Sequence, residues 1–311
     1  MAAAPVLVDP PQVEVVTRKA PPPPDPFTVP EDLIPVPSGS PKVDIMVCTY
    51  RYNVVAPIMA IREMELRARK SGIDARLKLF GNALVEDARA QAAAARREDY
   101  DYLLFVDDDM VPGYPDAVKY LVDLDVPVVA PLFTTRSEPV SLTVKQWDAA
   151  TDSFKGIESL KEAADDKILM GPFCLGLAFT LIRRDAFEKV VEYHLSGQDW
   201  LDENRKLLDR LHVRMENRER ERRNIEIERR AQYAKDRVAY VFDRNLQPFG
   251  VRPGEDIAFG RRLLRCGIDV ALDCRLEMAP GHVGTYAFGI WDMGTPNNRE
   301  EFYRALRGPK E

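Results

Sequence analysis

The most constraining feature of this sequence is the segment 100–106, a nearly unbroken apolar run that passes straight into Asp107-Asp108-Asp109. A run of this kind suits a strand buried on both faces, at the centre of a sheet covered by helices. The three carboxylates then fall at the carboxyl end of that strand. Open α/β sheets bind their ligands just beyond such ends, so the same few residues point to a fold class and to the place of a site.

Strand-like and helix-like segments alternate on either side of this run. Residues 43–48 and 75–80 read as strands, and residues 57–70 and 84–97 as helices, the first with an apolar face of Ile58, Ile61, Met64, Leu66 and Ala68. Residues 115–124 read as a helix and 126–133 as a strand, which continues a βαβ pattern. From residue 140 the texture changes. Residues 140–157 alternate apolar and polar around turn-like 148–152, which predicts an antiparallel hairpin. The stretch 168–182 contains Gly171, Pro172 and Gly176 and reads as buried sheet, with a strand at 175–182 and a helix at 184–193.

Two segments break the pattern. Residues 1–40 are rich in proline, including the run at 21–24, and predict a tail or a strap on the surface. Residues 197–237 form a tract of arginine and glutamate with sparse leucines, which predicts a long charged helix held by opposite charges three or four residues apart. Three readings of that helix stand: a solvated lid or packing helix, a coiled-coil contact between copies in a homo-oligomer, or a basic acceptor-binding face.

At 311 residues with 45% hydrophobic and 30% charged side chains, one core is within reach. A net charge of -6 argues against a general phosphate-binding surface, since lysine and arginine supply non-specific affinity for nucleic acid. Cys48, Cys174, Cys266 and Cys274 are scattered and contain no C-x-x-C pair, so reduced, buried thiols are expected. The start lacks a basic stretch followed by an apolar one, and the longest apolar run falls short of the roughly 20 residues of a membrane span. A soluble, cytoplasmic protein with no membrane contact is the expectation.

Three elements carry the candidate chemistry. Carboxylates crowded on one turn repel unless hydrogen bonds, solvent or a cation compensates them, and hard oxygen ligands suit Mn2+ or Mg2+. The alternative for Asp107, Asp108 and Asp109 is an ordinary surface turn. Gly254-Glu255-Asp256 opens an amphipathic segment running to Gly267, where both acids also suit the positive end of a helix dipole. His282 lies between Gly281 and Gly284 after an apparent strand at 270–272, and is either a structural histidine or a ligand.

In order and context these elements resemble the glycosyltransferases of the GT-A fold, especially the family-2-like group. The resemblance rests on the opening Val-Asp-Ile-Met-Val-Cys-Thr-Tyr at 43–50, the strand ending in Asp107-Asp108-Asp109, the Gly-Glu-Asp at 254–256 and the Gly-His at 281–282. It implies an α/β fold with a central, mostly parallel mixed sheet flanked by helices, and with residues 197–237 as a long charged helical insertion. It implies that Asp107 faces the nucleotide ribose, that Asp109 binds the metal bridging the donor diphosphate with His282 completing its shell and Asp107 also among its ligands, and that Asp107 and Asp108 both belong to the donor-binding site. Asp256 would be the general base toward an acceptor hydroxyl and Glu255 its orienting partner, which implies inversion at the anomeric carbon. Thr49, Tyr50 and Arg51 would line the base pocket, and Arg89 would reach the base or phosphates or else be a helix-surface arginine. Phe173, Tyr286 and Trp291 would stack on a sugar or fill the core.

The same resemblance implies a domain plan. Residues 41–135 would form the nucleotide-sugar-binding half, residues 136–196 and 238–295 the acceptor-binding half, and residues 296–311 a tail. The donor would be a UDP- or GDP-linked sugar. Small soluble transferases of this type include bacteriophage enzymes that modify hydroxymethylated bases in DNA, which makes such DNA one expected acceptor. Two other functions remain on the sequence alone: a nucleotidyltransferase, against which the lack of glycine at 48–53 weighs, and a non-catalytic adaptor assembling through 197–237.

Overall fold

Residues 42–48 alternate side chains that find apolar partners on two opposite faces, and this double burial organises the molecule. The computed structural model describes residues 34–49, 55–81, 84–135, 142–157, 168–196, 198–199, 242, 254–275, 278–283 and 287–288. The chain divides into two units, Met1–Pro35 and Val36–Glu311, and only Ile34 and Pro35 of the first are described. Most of the proline-rich segment, the charged tract apart from 198 and 199, and the tail at 296–311 therefore lie outside the described residues.

The predicted βαβ run is present. Strand β1 (Lys42–Cys48) leads to helix α1 (Val55–Lys70), then β2 (Asp74–Phe80), α2 (Val85–Ala94), β3 (Tyr102–Asp107) and the short β4 (Met110–Val111). Helix α3 (Ala117–Asp123) and β5 (Val128–Pro131) follow, then the hairpin strands β6 (Lys145–Asp148) and β7 (Ser153–Gly156). The hairpin turn forms where the sequence predicts it. Asp148 accepts hydrogen bonds from the Ala150 N–H and the Thr151 hydroxyl, and Asp152 takes a left-handed φ of 52°.

The stretch 168–182 departs from one continuous piece of sheet. It divides into β8 (Ile168–Gly171), β9 (Phe173–Cys174) and β10 (Phe179–Arg183), which belong to different places in the fold. Pro172, which has no N–H to give to a ladder, stands at the first break, and the Gly176 segment stands at the second, close under Phe133. Helix α4 (Arg184–Leu195), helix α5 (Glu255–Arg265), β11 (Val270–Asp273), β12 (Gly281–Val283) and β13 (Ala287–Phe288) complete the described elements.

The main sheet has seven strands in the order β2-β1-β3-β10-β5-β11-β8. Strands β2, β1, β3, β5 and β11 run one way, and β10 and β8 run against them. The sheet is thus mixed and mostly parallel, with an antiparallel strand inserted between β3 and β5. Two three-stranded sheets flank it, β13-β12-β4 and β7-β6-β9.

On one face Val43, Ile45 and Val47 of β1 and Leu104 and Val106 of β3 pack with Ile58, Ile61 and Met64 of α1 and Val118 and Leu121 of α3. On the other face Met46, Leu103 and Phe105 join Ala88, Ala92 and Ala93 of α2, Phe187 and Val190 of α4, and Phe259 and Leu263 of α5. The alanine-rich helix of the sequence is explained here: small side chains let α2 lie close on the sheet. Its regular part ends at Ala94 rather than 97, because Arg97 turns back to the sheet. The Arg97 N–H and guanidinium both meet the fully buried carboxylate of Asp44, each at 2.7 Å, and the guanidinium also meets Asp74 at 2.5 Å.

Within the small sheet, the chain just after β4 makes a close backbone approach at Gly113 to the segment that leads into its partner β12. A Cβ there would lie 2.1 Å from the carbonyl oxygen of Ala279, just before β12. Because the clash is backbone on backbone, Gly113→Ala is expected to cost about 1–3 kcal/mol, the range of local overpacking. Thermal unfolding against Gly156→Ala, whose Cβ meets nothing within 4 Å, would check this. Equal melting temperatures for the two variants would refute the close approach.

Candidate functional site

The acidic run sits where β3 leaves the main sheet. The Asp107 N–H donates to the Ala178 carbonyl at 2.9 Å and the Asp108 N–H to the Cys48 carbonyl at 3.3 Å, so neighbouring strand ends hold its backbone. Two residues later the chain enters β4, which pairs antiparallel with β12 and places His282 opposite Met110. The acids therefore form the joint between two sheets.

Beside this joint lies a cavity of roughly 390 Å³, which brings together Thr49, Arg89, Asp107, Asp108, Asp109 and Glu255 from the end of β1, α2, β3 and the first turn of α5. Asp109 is buried at 7% exposure. Cys48, Leu84 and Glu86 also line the cavity and were not among the site residues that the sequence suggested. The signal for Cys48 and Glu86 was present: one ends β1, and the other lies in the first turn after β2, both on the carboxyl side of the sheet. Burial pushes the Cys48 thiol up to about 12, with Asp107 and Asp108 adding to the rise against the opposing effect of Arg89. A protonated thiol of this kind is no nucleophile.

Arg89 is 2% exposed and occupies the centre of the charge pattern. One terminal nitrogen donates to both Asp107 oxygens, at 2.9 and 3.2 Å, and the other donates to Glu255. Burial acts to lower the guanidinium's pKa, but Asp107 and Glu255 outweigh it and hold the pKa above its ordinary value. Burial removes the surface arginine from the two alternatives left by the sequence, and the side chain bridges two carboxylates while bordering the cavity. Glu86 and the remaining aspartates leave the cavity wall predominantly acidic.

Asp256 and His282, also expected in the site, are not among the residues that line this cavity. Asp256 stands beside Glu255, but its side chain accepts from the Ile257 N–H at 2.7 Å, and its carbonyl accepts from the Cys174 thiol at 3.3 Å. Burial first, and the Glu255 charge second, raise the Asp256 pKa. His282 is 8% exposed, and its Nδ1 lies 2.5 Å from the Thr134 carbonyl oxygen. Since a carbonyl can only accept, Nδ1 is the donor in this contact, which leaves Nε2 as the nitrogen that a metal would engage. Phe133 meets the ring edge-on at 5.7 Å. Tyr50, Arg51, Tyr286 and Trp291 lie outside the described residues. Phe173, one of the aromatic candidates, is core: it is 7% exposed and packs under Gly171.

Among the described residues no group of three or more His, Cys, Asp or Glu is arranged to hold a metal ion by itself. Among them, too, no helix is long and apolar enough to cross a membrane.

No protein-family model matches the sequence, and no curated protein matches it. Several solved structures are similar in chain path. A197 from STIV is 14% identical with a TM-score of 0.41, and the match covers 78% of this chain and 86% of that one. The catalytic domain of Drosophila β1,4-galactosyltransferase 7 in complex with xylobiose is 12% identical with a TM-score of 0.30, over 49% of this chain and 52% of that one. A mutant of the same Drosophila enzyme, in complex with manganese, UDP-Gal and xylobiose, is 11% identical with a TM-score of 0.36, over 85% and 79%. Similarity at this level is too low to pass residue roles from those proteins to this one.

Proposed function

We propose that this protein is a metal-dependent, inverting glycosyltransferase of the GT-A type, moving a sugar from a nucleoside-diphosphate donor to an acceptor hydroxyl. The observation that carries the reading is the convergence of Asp107, Asp108 and Asp109 at a strand's carboxyl end with Glu255 on one cavity, with β12 and its histidine paired alongside. An acidic cavity whose arginine is already engaged by two carboxylates repels a diphosphate, so a cation is needed to bring one in. The donor set suits that cation: magnesium and manganese are commonly held by one or two carboxylates together with phosphate oxygens, not by an all-protein cage.

Asp109 would hold the metal, with Asp108 taking the place expected for Asp107, whose two oxygens Arg89 engages, and with Nε2 of His282 as a further ligand; a bound ion would stabilise charge developing on the departing diphosphate. Asp107 would face the ribose, and Thr49 the base. Asp256 would take the proton from the acceptor hydroxyl. Its raised pKa makes it a stronger base than an exposed aspartate, and Glu255 contributes to that rise. A UDP- or GDP-linked sugar is the donor class, and hydroxymethylated DNA is one acceptor to include in a screen. Thermal shift with Mn2+ and a panel of nucleotide sugars tests the reading, because a ligand that binds only the folded state raises the melting temperature. No stabilisation by any metal and nucleotide-sugar pair would overturn it.

Asp256→Asn separates chemistry from folding. The folded state holds the Asp256 proton over a pH range in which the unfolded chain has released it. The resulting stabilisation is full below the ordinary value near 3.8 and is lost as pH rises through the raised folded value. At neutral pH the ionised side chain is thus a burden. Asn is expected to raise the melting temperature at pH 7, with the gain shrinking toward pH 4, while donor binding persists and transfer stops. A lower melting temperature at pH 7 would contradict this account of the side chain.

A further inference from the structure

We propose that Arg89 is a positioning residue that ties the donor-side carboxylate Asp107 to the start of the catalytic helix α5 through Glu255, without contacting the donor itself; this rests on the transferase reading above.

Asp107 ends β3 and Glu255 opens α5, so nothing local in the chain sets their separation. As like charges on one cavity they repel, and each would drift outward into solvent if left alone. Arg89 prevents this with its planar fork. One nitrogen engages both oxygens of Asp107 and the other engages Glu255, a residue 166 positions away in sequence. The Arg89 side chain is only 3% exposed, so little of the guanidinium is left to meet a ligand, although the residue borders the cavity. Its Cα end is equally fixed, because α2 packs through Ala88, Ala92 and Ala93 against the sheet.

The consequence is mechanical. Asp107 stands next to the residues that would hold the metal and diphosphate, and Glu255 stands next to the base Asp256. A single rigid group that spans both fixes the distance from the donor to the carboxylate that must activate the acceptor. Misplacement of reacting groups by about 1 Å costs on the order of a hundredfold in rate. Lysine at this position offers a point charge in place of a fork, so it can serve one carboxylate well but not both.

The test uses the full-length protein in two parts. Melting temperatures of Arg89→Met, Glu255→Gln and the double variant form a cycle without any ligand. The expected result is a double-variant loss smaller than the sum of the two single losses. Additive losses would overturn the tie. Calorimetry with Mn2+ plus a panel of nucleoside diphosphates, and turnover of the nucleotide sugar found to bind, form the second part. Arg89→Met is expected to keep nucleotide affinity within about threefold while turnover falls roughly a hundredfold, with Arg89→Lys recovering part of it. An affinity loss in step with turnover would make Arg89 a donor contact, and unchanged turnover per folded molecule would make it merely structural; either overturns the proposal. Failure of the unaltered protein to bind any nucleotide with Mn2+ would instead overturn the transferase reading and the positioning role with it, while the stability cycle would still report on the tie.

Discussion

Asp109→Asn is expected to reduce the affinity for a Mn2+–nucleoside diphosphate pair by a hundredfold or more. Loss of an outer-shell partner of a metal ligand already costs about 10–100-fold, and Asp109 is assigned to the inner shell. The side chain is suited to that role by position: it is 7% exposed, borders the cavity and immediately precedes the β4 strand that pairs with β12. Replacement by the isosteric amide removes the charge and keeps the shape, so the loss should be specific to the metal-dependent part of binding. Calorimetry with and without Mn2+ would show it. Retention of Mn2+-dependent affinity in Asp109→Asn would move the metal elsewhere. A melting temperature measured without metal distinguishes this from a folding defect.

The second large effect concerns the fold. Asp44→Ala is expected to destabilise the protein by about 3 kcal/mol, at the low end of the 3–5 kcal/mol typical of breaking a buried ion pair. Asp44 is fully buried in β1, accepts from the Arg97 N–H at 2.7 Å, and sits 2.7 Å from the Arg97 guanidinium. Removing it leaves a guanidinium with 7% exposure facing the space its partner filled. The estimate is held to the lower end because Asp74 still bonds Arg97 at 2.5 Å. Urea unfolding would measure the change. A loss well under 1 kcal/mol would mean that this contact is dispensable and that β1 is held by its apolar neighbours alone.

These two aspartates illustrate how differently one residue type is used at the two ends of parallel strands. Asp44, near the amino end of β1, is consumed by an internal cation and stabilises the scaffold. Asp109, beyond the carboxyl end of β3, lines a cavity that among the described residues also takes Glu86, Asp107, Asp108, Glu255 and Arg89 into its wall. The asymmetry follows from the topology: parallel strands deliver their carboxyl ends, and the loops after them, to the same edge.

Much of this was legible from local pattern. The two-sided apolar run before Asp107 identified β3 as a central strand, because only a strand covered on both faces tolerates so few polar side chains. The alternation of segments up to residue 133 located β1, α1, β2, α2, α3 and β5, and the turn chemistry of Asp148 and Asp152 located the hairpin. The acids of the candidate site stood out because a place at a strand end has a physical meaning that does not depend on the rest of the chain.

What the tertiary structure alone decided is which distant residues meet. Periodicity tells which face of an element is apolar, but it carries no record of which element will cover that face. The insertion of β10 between β3 and β5, the register that sets His282 opposite Met110, the choice of Glu255 over Asp256 as the residue lining the cavity, and the bridge from Arg89 across 166 positions were therefore not in the sequence pattern. Each depends on packing and charge pairing between segments joined through long loops, and those energies exist only once the chain has closed upon itself.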